Sequence, residues 1–138
     1  MSYLVDTNAL SELRRRKPDP NVVTWFSSRP ATTLYISVLT LGEVRKGIEG
    51  IVDGERRLRL VDRLETALSA FFVGRILSVD AAVADRCGRL PAAARRPLPA
   101  IDSLLAATAI AHDLVLVTRN AREFAGLPVQ VIDPWSSH

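Results

Sequence analysis

One cysteine, Cys87, is all that the 138-residue chain contains, so an intrachain disulfide is excluded and the fold must hold through its core alone. That usage fits a reducing compartment. Cys87 stands in a helix-like run, Ala81 to Leu90, and reads as a small packed hydrophobe rather than a nucleophile. Histidine is almost as scarce. Only His112 and His138 occur, and neither has a partner at zinc-ligand spacing. No stretch reaches the ~18 consecutive apolar residues that a membrane span requires. The N-terminal run Met1-Ser2-Tyr3-Leu4-Val5 meets an acid at once and lacks the basic leader of a secretory signal. The default expectation is a cytoplasmic protein with no membrane partner. Aromatic residues make up 6% of the chain, and no stacking platform of the single-strand-binding type is visible. Trp25 and Phe26 fall in an amphipathic run and read as core or interface.

What is present describes an ordinary globular chain. Hydrophobic residues account for 48% and charged residues for 24%, and the length suits one domain over 1–138. The formal charge is +3. Lys17 and Lys46 are the only lysines, so arginine carries the positive charge. Mild basicity favours a phosphate-bearing or acidic partner, or serves solubility alone.

Short apolar runs alternate with longer amphipathic ones. Tyr3–Val5, Leu34–Ser37, Ile76–Val79, Val115–Val117 and Val129–Ile132 read as strands. Helices are expected over 8–16, 21–28, 39–49, 55–72, from Asp80 to about Leu90, over 101–112, and briefly over 120–124. In the 55–72 run, Leu58, Val61, Leu64, Leu68 and Phe71 recur at spacings of three and four, which predicts one apolar face. Strands separated by helices predict a three-layer α/β/α fold around a central, mainly parallel sheet of four to five strands. Wholly apolar strands agree with a sheet covered on both faces.

Such folds bind ligands outside the carboxyl ends of the strands, where strand order reverses. Asp6 directly follows the first strand, and Asn120 and Glu123 follow the fourth. Glu43 lies one turn into the helix after the second strand. Asp102 begins the alanine-rich helix that feeds the fourth. Each acid also has a plainer reading. Asp6 and Asp102 are apt helix caps, Glu43 suits a solvated helix face, and Glu123 suits pairing with Arg119. Together they point to one crevice. Two carboxylates about 4 Å apart repel by roughly 4 kcal/mol at an effective dielectric of about 20, so such a cluster needs protons or a cation. All-oxygen ligands suit Mg²⁺ or Mn²⁺. Asp80 reads as a cap, Asp113 and Asp133 as turn residues, and Asp53, Asp62, Asp85, Glu49, Glu55 and Glu65 as surface.

The order Leu4-Val5-Asp6-Thr7-Asn8, then Ser37 through Val44 ending in Gly42-Glu43-Val44, then Pro99-Ala100-Ile101-Asp102, then Val117-Thr118-Arg119-Asn120-Ala121-Arg122-Glu123-Phe124, resembles that of the PIN domains. More narrowly it resembles the VapC toxins of bacterial toxin–antitoxin pairs. The small-residue run Ala106-Ala107-Thr108-Ala109 fits the same pattern, and the resemblance covers nearly the whole chain. It implies a PIN fold and an Mg²⁺- or Mn²⁺-dependent endoribonuclease that cleaves RNA, transfer or ribosomal, and blocks translation. It also implies a VapB-type antitoxin that obstructs the site, operator DNA bound only through that antitoxin, and a homodimer. By motif position Asp6, Glu43 and Asp102 are the core metal-binding and catalytic acids. Many relatives carry aspartate where this chain has Asn120, so Glu123 is taken as the fourth acid, with Asn120, Thr118 and Asn8 in support.

RNA also needs positive charge near the crevice, and Arg95, Arg96 and Arg119 are the nearest candidates. The expected 55–72 helix, together with the helix from Leu39, offers a groove for an antitoxin helix or a dimer face. Two other readings stay open. The chain could keep the fold as a catalytically weak regulatory or binding module, or it could be a metal-dependent DNA nuclease.

Overall fold

The computed structural model describes residues 1–136; Ser137 and His138 lie outside the described residues. Five strands form one sheet: β1 (Tyr3–Val5), β2 (Leu34–Ser37), β3 (Ile76–Leu77), β4 (Val115–Val117) and β5 (Val131–Ile132). Their order is β3-β2-β1-β4-β5, and every pairing is parallel. The chain therefore builds outward from β1 in one direction through β2 and β3, then returns to its other side for β4 and β5. The reversal falls between β1 and β4, where Tyr3 pairs with Val115 and Val5 with Val117.

The strands are buried because side chains alternate between two helical layers. Leu4 and Leu116 pack with Val83, Leu90, Leu105 and Ala106, which come from α6 (Ala81–Ala94) and α7 (Ala100–Ala111). Tyr3, Val5, Val115 and Val117 pack the other way, against Leu10, Trp25 and Phe72. Leu10 belongs to α1 (Thr7–Glu12) and Trp25 to α2 (Pro20–Ser27). Ala106, Ala107 and Ala109 are fully buried, so their small side chains let α7 lie close to the sheet. Helix α3 (Val38–Glu49) and helix α4 (Gly54–Arg63) close a third cluster around Val44, Ile48 and Leu64. No helix among the described residues is long and apolar enough to cross a membrane.

Several helix boundaries differ from the sequence expectation. The first helix stops at Glu12. Glu12 is buried there; it accepts from the Asp19 backbone N–H at 2.9 Å and pairs with Arg15. That tie turns the chain before the basic run is used up. The Asp19 N–H is also the main reason the Glu12 carboxyl sits below its ordinary range. The long 55–72 helix is broken by a π turn at Leu64–Leu68, followed by a last turn, α5 (Ser69–Phe71). The extra residue in that turn rotates the apolar stripe. Leu64 and Leu68 face inward, whereas Leu58 is left 69% exposed and Phe71 48% exposed. A 3₁₀ turn, Ala121–Phe124, stands where a short helix was expected.

Helix α6 runs past Leu90 and through Pro91 to Ala94. Leu90 is buried, and Ala94 packs on the same core, so tertiary contact carries the helix over a residue that offers no N–H. A proline in a helix interior costs about 3 kcal/mol relative to alanine. Pro91 is exposed, so Pro91→Ala is expected to raise unfolding free energy by about 1–3 kcal/mol, measured by urea denaturation. An equal or lower stability would contradict this account of α6.

Candidate active site

Asp6 leaves the end of β1 while still bound to β4: its backbone N–H donates to the Val117 carbonyl at 2.9 Å. The same residue caps α1. Its carbonyl accepts from the N–H groups of Ala9 and Leu10, and its Oδ1 accepts from the Thr7 N–H at 2.7 Å. The cap role and the site role therefore coexist in one residue. Its side chain is only 6% exposed.

The next residue after β4 completes the arrangement. Thr118 is fully buried. Its hydroxyl donates to Asp6 Oδ2 at 2.8 Å and accepts from Asn8 Nδ2 at 3.2 Å and from the Asn120 N–H at 3.1 Å. One donor and two acceptors are all that a hydroxyl has, so this one is saturated. Asn8 also reaches Asp6 Oδ2 at 3.5 Å, and its Oδ1 accepts from the Arg119 N–H at 3.3 Å. The supporting roles expected of Asn8 and Thr118 thus have direct geometric counterparts. Asn120 takes part through its backbone.

Glu43 enters from α3. Ser37 at the end of β2 caps that helix by accepting from the Leu39 N–H, which starts α3 at the carboxyl edge of the sheet and brings Glu43 over it. Thr7 Oγ1 donates to Glu43 Oε1 at 2.7 Å. Sequence reasoning gave Thr7 no role. The available signal was a hydroxyl placed between Asp6 and Asn8, at the first position of α1.

Asp102 stands in the first turn of α7. Its carboxyl lies above the ordinary range, first because of burial and then because of the charges of Asp6, Glu123 and Glu43. Asp6 is raised as well. Burial is the main cause and the Glu43 charge adds to it, against the Thr118 and Thr7 hydrogen bonds that pull it down. Asp102 therefore feels the charges of the other three acids named from sequence, and Asp6 that of Glu43, though the four come from separate segments. Among the described residues, the ion pairs join Arg15 to Glu12, Arg45 to Glu49 and Glu65, and Arg89 to Asp85. None neutralises the cluster.

Those same described residues contain no finished set of three or more His, Cys, Asp or Glu ligands. Glu43 is turned onto Thr7, and Asp6 onto Thr118 and the Thr7 N–H. The donor set nonetheless fits a hard divalent cation: all carboxylate oxygen, partly desolvated, and without a basic counter-charge.

The remaining candidates separate. Arg95 is exposed and holds a left-handed conformation at the end of α6, with φ of 58°. Arg119 is exposed, and its guanidinium lies 5.1 Å from the Trp135 ring centroid. Arg96 is engaged otherwise: it donates to the carbonyls of Glu123 and Ala125. Asp80 and Asp53 cap α6 and α4 as surface readings require.

One apolar concavity, of about 370 Å³, is lined by Leu10, Leu13, Phe26, Leu68, Phe71 and Phe72, together with Arg14, Arg29 and Arg63. None of its lining residues comes from α3.

Comparison with known proteins agrees with this geometry. The PIN domain family model matches residues 3–129. Toxin FitB of Neisseria gonorrhoeae is 35% identical over 96% of this chain and 97% of its own length. VapC ribonuclease Y4jK of Sinorhizobium fredii is 33% identical over 96% of each. The crystal structure of FitAcB from Neisseria gonorrhoeae superposes with a TM-score of 0.93 at 34% identity, covering 98% of this chain and 99% of that one.

The raised Asp102 carboxyl has a consequence for stability. A carboxyl whose pKa rises on folding favours the folded state fully below its unfolded value, near 3.9, and that contribution is lost as pH climbs through the folded value. In metal-free protein Asp102→Asn removes this loss. The variant is expected to gain stability relative to the parent from pH 4 to pH 7.5, measured by denaturant titration at both. A difference independent of pH would show that Asp102 carries no strained charge.

Proposed function

This chain belongs to the PIN-domain family, and on that premise we propose that it is the toxin of a VapBC-type, type II toxin–antitoxin pair. In this reading it is an endoribonuclease that hydrolyses RNA phosphodiester bonds and inhibits translation in the cytoplasm. The whole chain, 1–138, is read as one PIN domain. The observation that carries the reading is that the charges of Asp6, Glu123 and Glu43 all bear on the partly buried Asp102, and that no ion pair among the described residues neutralises them.

Asp6, Glu43, Asp102 and Glu123 would together hold Mg²⁺ or Mn²⁺. A bound ion of this kind supplies Lewis acidity for water attack on a phosphodiester. The protein's own groups do the positioning. Thr118 and Asn8 hold Oδ2 of Asp6. Thr7 holds one oxygen of Glu43 and leaves the other free. Asn120 anchors the turn that carries Glu123, since its carbonyl accepts from the Glu123 N–H at 3.0 Å. The exposed guanidiniums of Arg95 and Arg119 are available to RNA phosphates, whose neutralisation supplies much of the affinity for a nucleic acid. The substrate in view is transfer or ribosomal RNA, and the working form is a homodimer.

Asp6→Asn and Asp102→Asn are each expected to lower RNA cleavage by about 100-fold or more and to abolish growth arrest on expression, with the fold retained by circular dichroism. Cleavage is to be compared on matched RNA and DNA strands with Mg²⁺ or Mn²⁺. Full activity in a folded Asp6→Asn protein would sink the proposal. Preference for the DNA strand would make the chain a DNA nuclease, and no metal-stimulated cleavage of either would make it a binding module.

An antitoxin of the VapB type is the partner, and the groove beside α1, α2 and α5 suits an apolar segment of it. A carboxylate set among the groove's apolar side chains would lose most of its hydration on complex formation. Phe71→Asp is therefore expected to weaken antitoxin binding by about 10-fold or more, or by at least 1.4 kcal/mol, in a titration with the purified antitoxin. An unchanged affinity would move the docking site elsewhere.

A further inference from the structure

We propose that Arg96 is a positioning residue for the active site: it clasps the turn that carries Glu123 to the loop that leads into Asp102. The proposal rests on the reading of Glu123 as the fourth acid.

Glu123 lies on the 3₁₀ turn Ala121–Phe124 and is exposed. Among the described residues its carboxylate has no hydrogen bond or ion pair, so its place depends on its backbone. That backbone is held at two ends. On the upstream side the Asn120 N–H donates to Thr118 Oγ1, which in turn holds Asp6. On the downstream side Arg96 Nη2 donates to the carbonyls of Glu123 and Ala125, each at 2.9 Å. These are carbonyls at the end of a helical turn, where partners within the turn run out. The charged donor makes the bonds stronger than neutral ones.

Arg96 is well placed to reach them. Helix α6 ends on Arg95, whose left-handed conformation reverses the chain. The loop of residues 95–99 then delivers α7 and Asp102. The bonds therefore join the segment just before Asp102 to the segment that carries Glu123. Phe124 and Leu127 bury the base of the turn in the core, which sets where the turn sits. The clasp sets how its outer edge, with Glu123, is held over the crevice. This use of Arg96 differs from that of a phosphate-binding arginine, because its two recorded hydrogen bonds, both from Nη2, are made inside the protein.

The test is a double-mutant cycle with Arg96→Gln, Glu123→Gln and the pair, with Arg96→Lys as the conservative variant. Three quantities are read: kcat and KM on an RNA oligonucleotide, Mn²⁺ affinity by calorimetry without RNA, and deuterium exchange over residues 121–127. Arg96→Gln is expected to lower kcat and Mn²⁺ affinity each by about 10-fold, to leave KM within about twofold, and to speed exchange in the turn. Arg96→Lys, which can still reach one carbonyl, restores part of each and serves alone should the glutamine variant not fold. In the Glu123→Gln background the Arg96 change adds nothing further. A loss that persists in full in that background overturns the proposal. So does a rise in KM with a changed salt dependence, which marks direct phosphate contact. Full activity and Mn²⁺ affinity in Glu123→Gln alone overturn the fourth-acid reading and, with it, the role given to Arg96.

Discussion

The parallel pairing of β1 with β4 is the constraint on which the site depends. It brings together two segments more than a hundred residues apart and continues one residue beyond the strands, through the Asp6 N–H on the Val117 carbonyl. That extra bond places Asp6 beside Thr118. Everything nearest the crevice then follows from short-range chemistry: the saturated Thr118 hydroxyl, the two-sided Asn8 amide, and the start of α1 on Asp6 itself. A shift of one residue in this register would turn Leu4 and Leu116 out of one core and Val5 and Val117 out of the other. The packing of the two faces therefore protects the alignment of the acids.

The acids burden the fold that aligns them. Burial and mutual repulsion raise Asp6 and Asp102, and no arginine among the described residues relieves them, although the chain is arginine-rich. The hydrogen bonds around the crevice work in the opposite direction. Thr118 and the Thr7 N–H stabilise the charged form of Asp6, and the Thr7 hydroxyl occupies one oxygen of Glu43. Donors of this kind favour ionised carboxylates without adding a positive charge. A salt bridge would have satisfied the same charges and closed the crevice to any other cation.

The sheet, its helical layers and the switch point were legible because burial wrote them plainly. Strand runs such as Tyr3–Val5 and Val115–Val117 are apolar throughout, and Ala106 to Ala109 is a small-residue seam. The family resemblance supplied the order of the acids. Less legible were features set by backbone hydrogen bonding. The π turn at Leu64–Leu68 leaves an unbroken helical period in the sequence, so Leu58 and Phe71 looked inward when they are exposed. Pro91 reads as a helix end until the burial of Leu90 and Ala94 is known. Nothing in the sequence marks Glu12 for burial, and only the turn to Asp19 shows why it is buried. Thr7 was hidden for a different reason. Its partner Glu43 is 36 residues away, and nothing local in Asp6-Thr7-Asn8 names it.

Glu123, the proposed fourth acid, shows how far such a site can be built by means other than side-chain contact. Asp6 and Glu43 are held by hydrogen bonds to their own carboxylates, and Asp102 by the rigid start of a buried helix. Glu123 has neither. It stands on an exposed 3₁₀ turn, and its neighbours act on its main chain through Asn120 at one end and Arg96 at the other. With asparagine at 120, the proposed fourth acid stands three residues further along the turn. A turn of that kind orients a side chain only as well as its carbonyls are tied down, because its few internal bonds are poorly aligned. On the reading proposed for Glu123, the structural demand falls on the backbone of the turn, which is where the arginine of the preceding loop makes its two bonds.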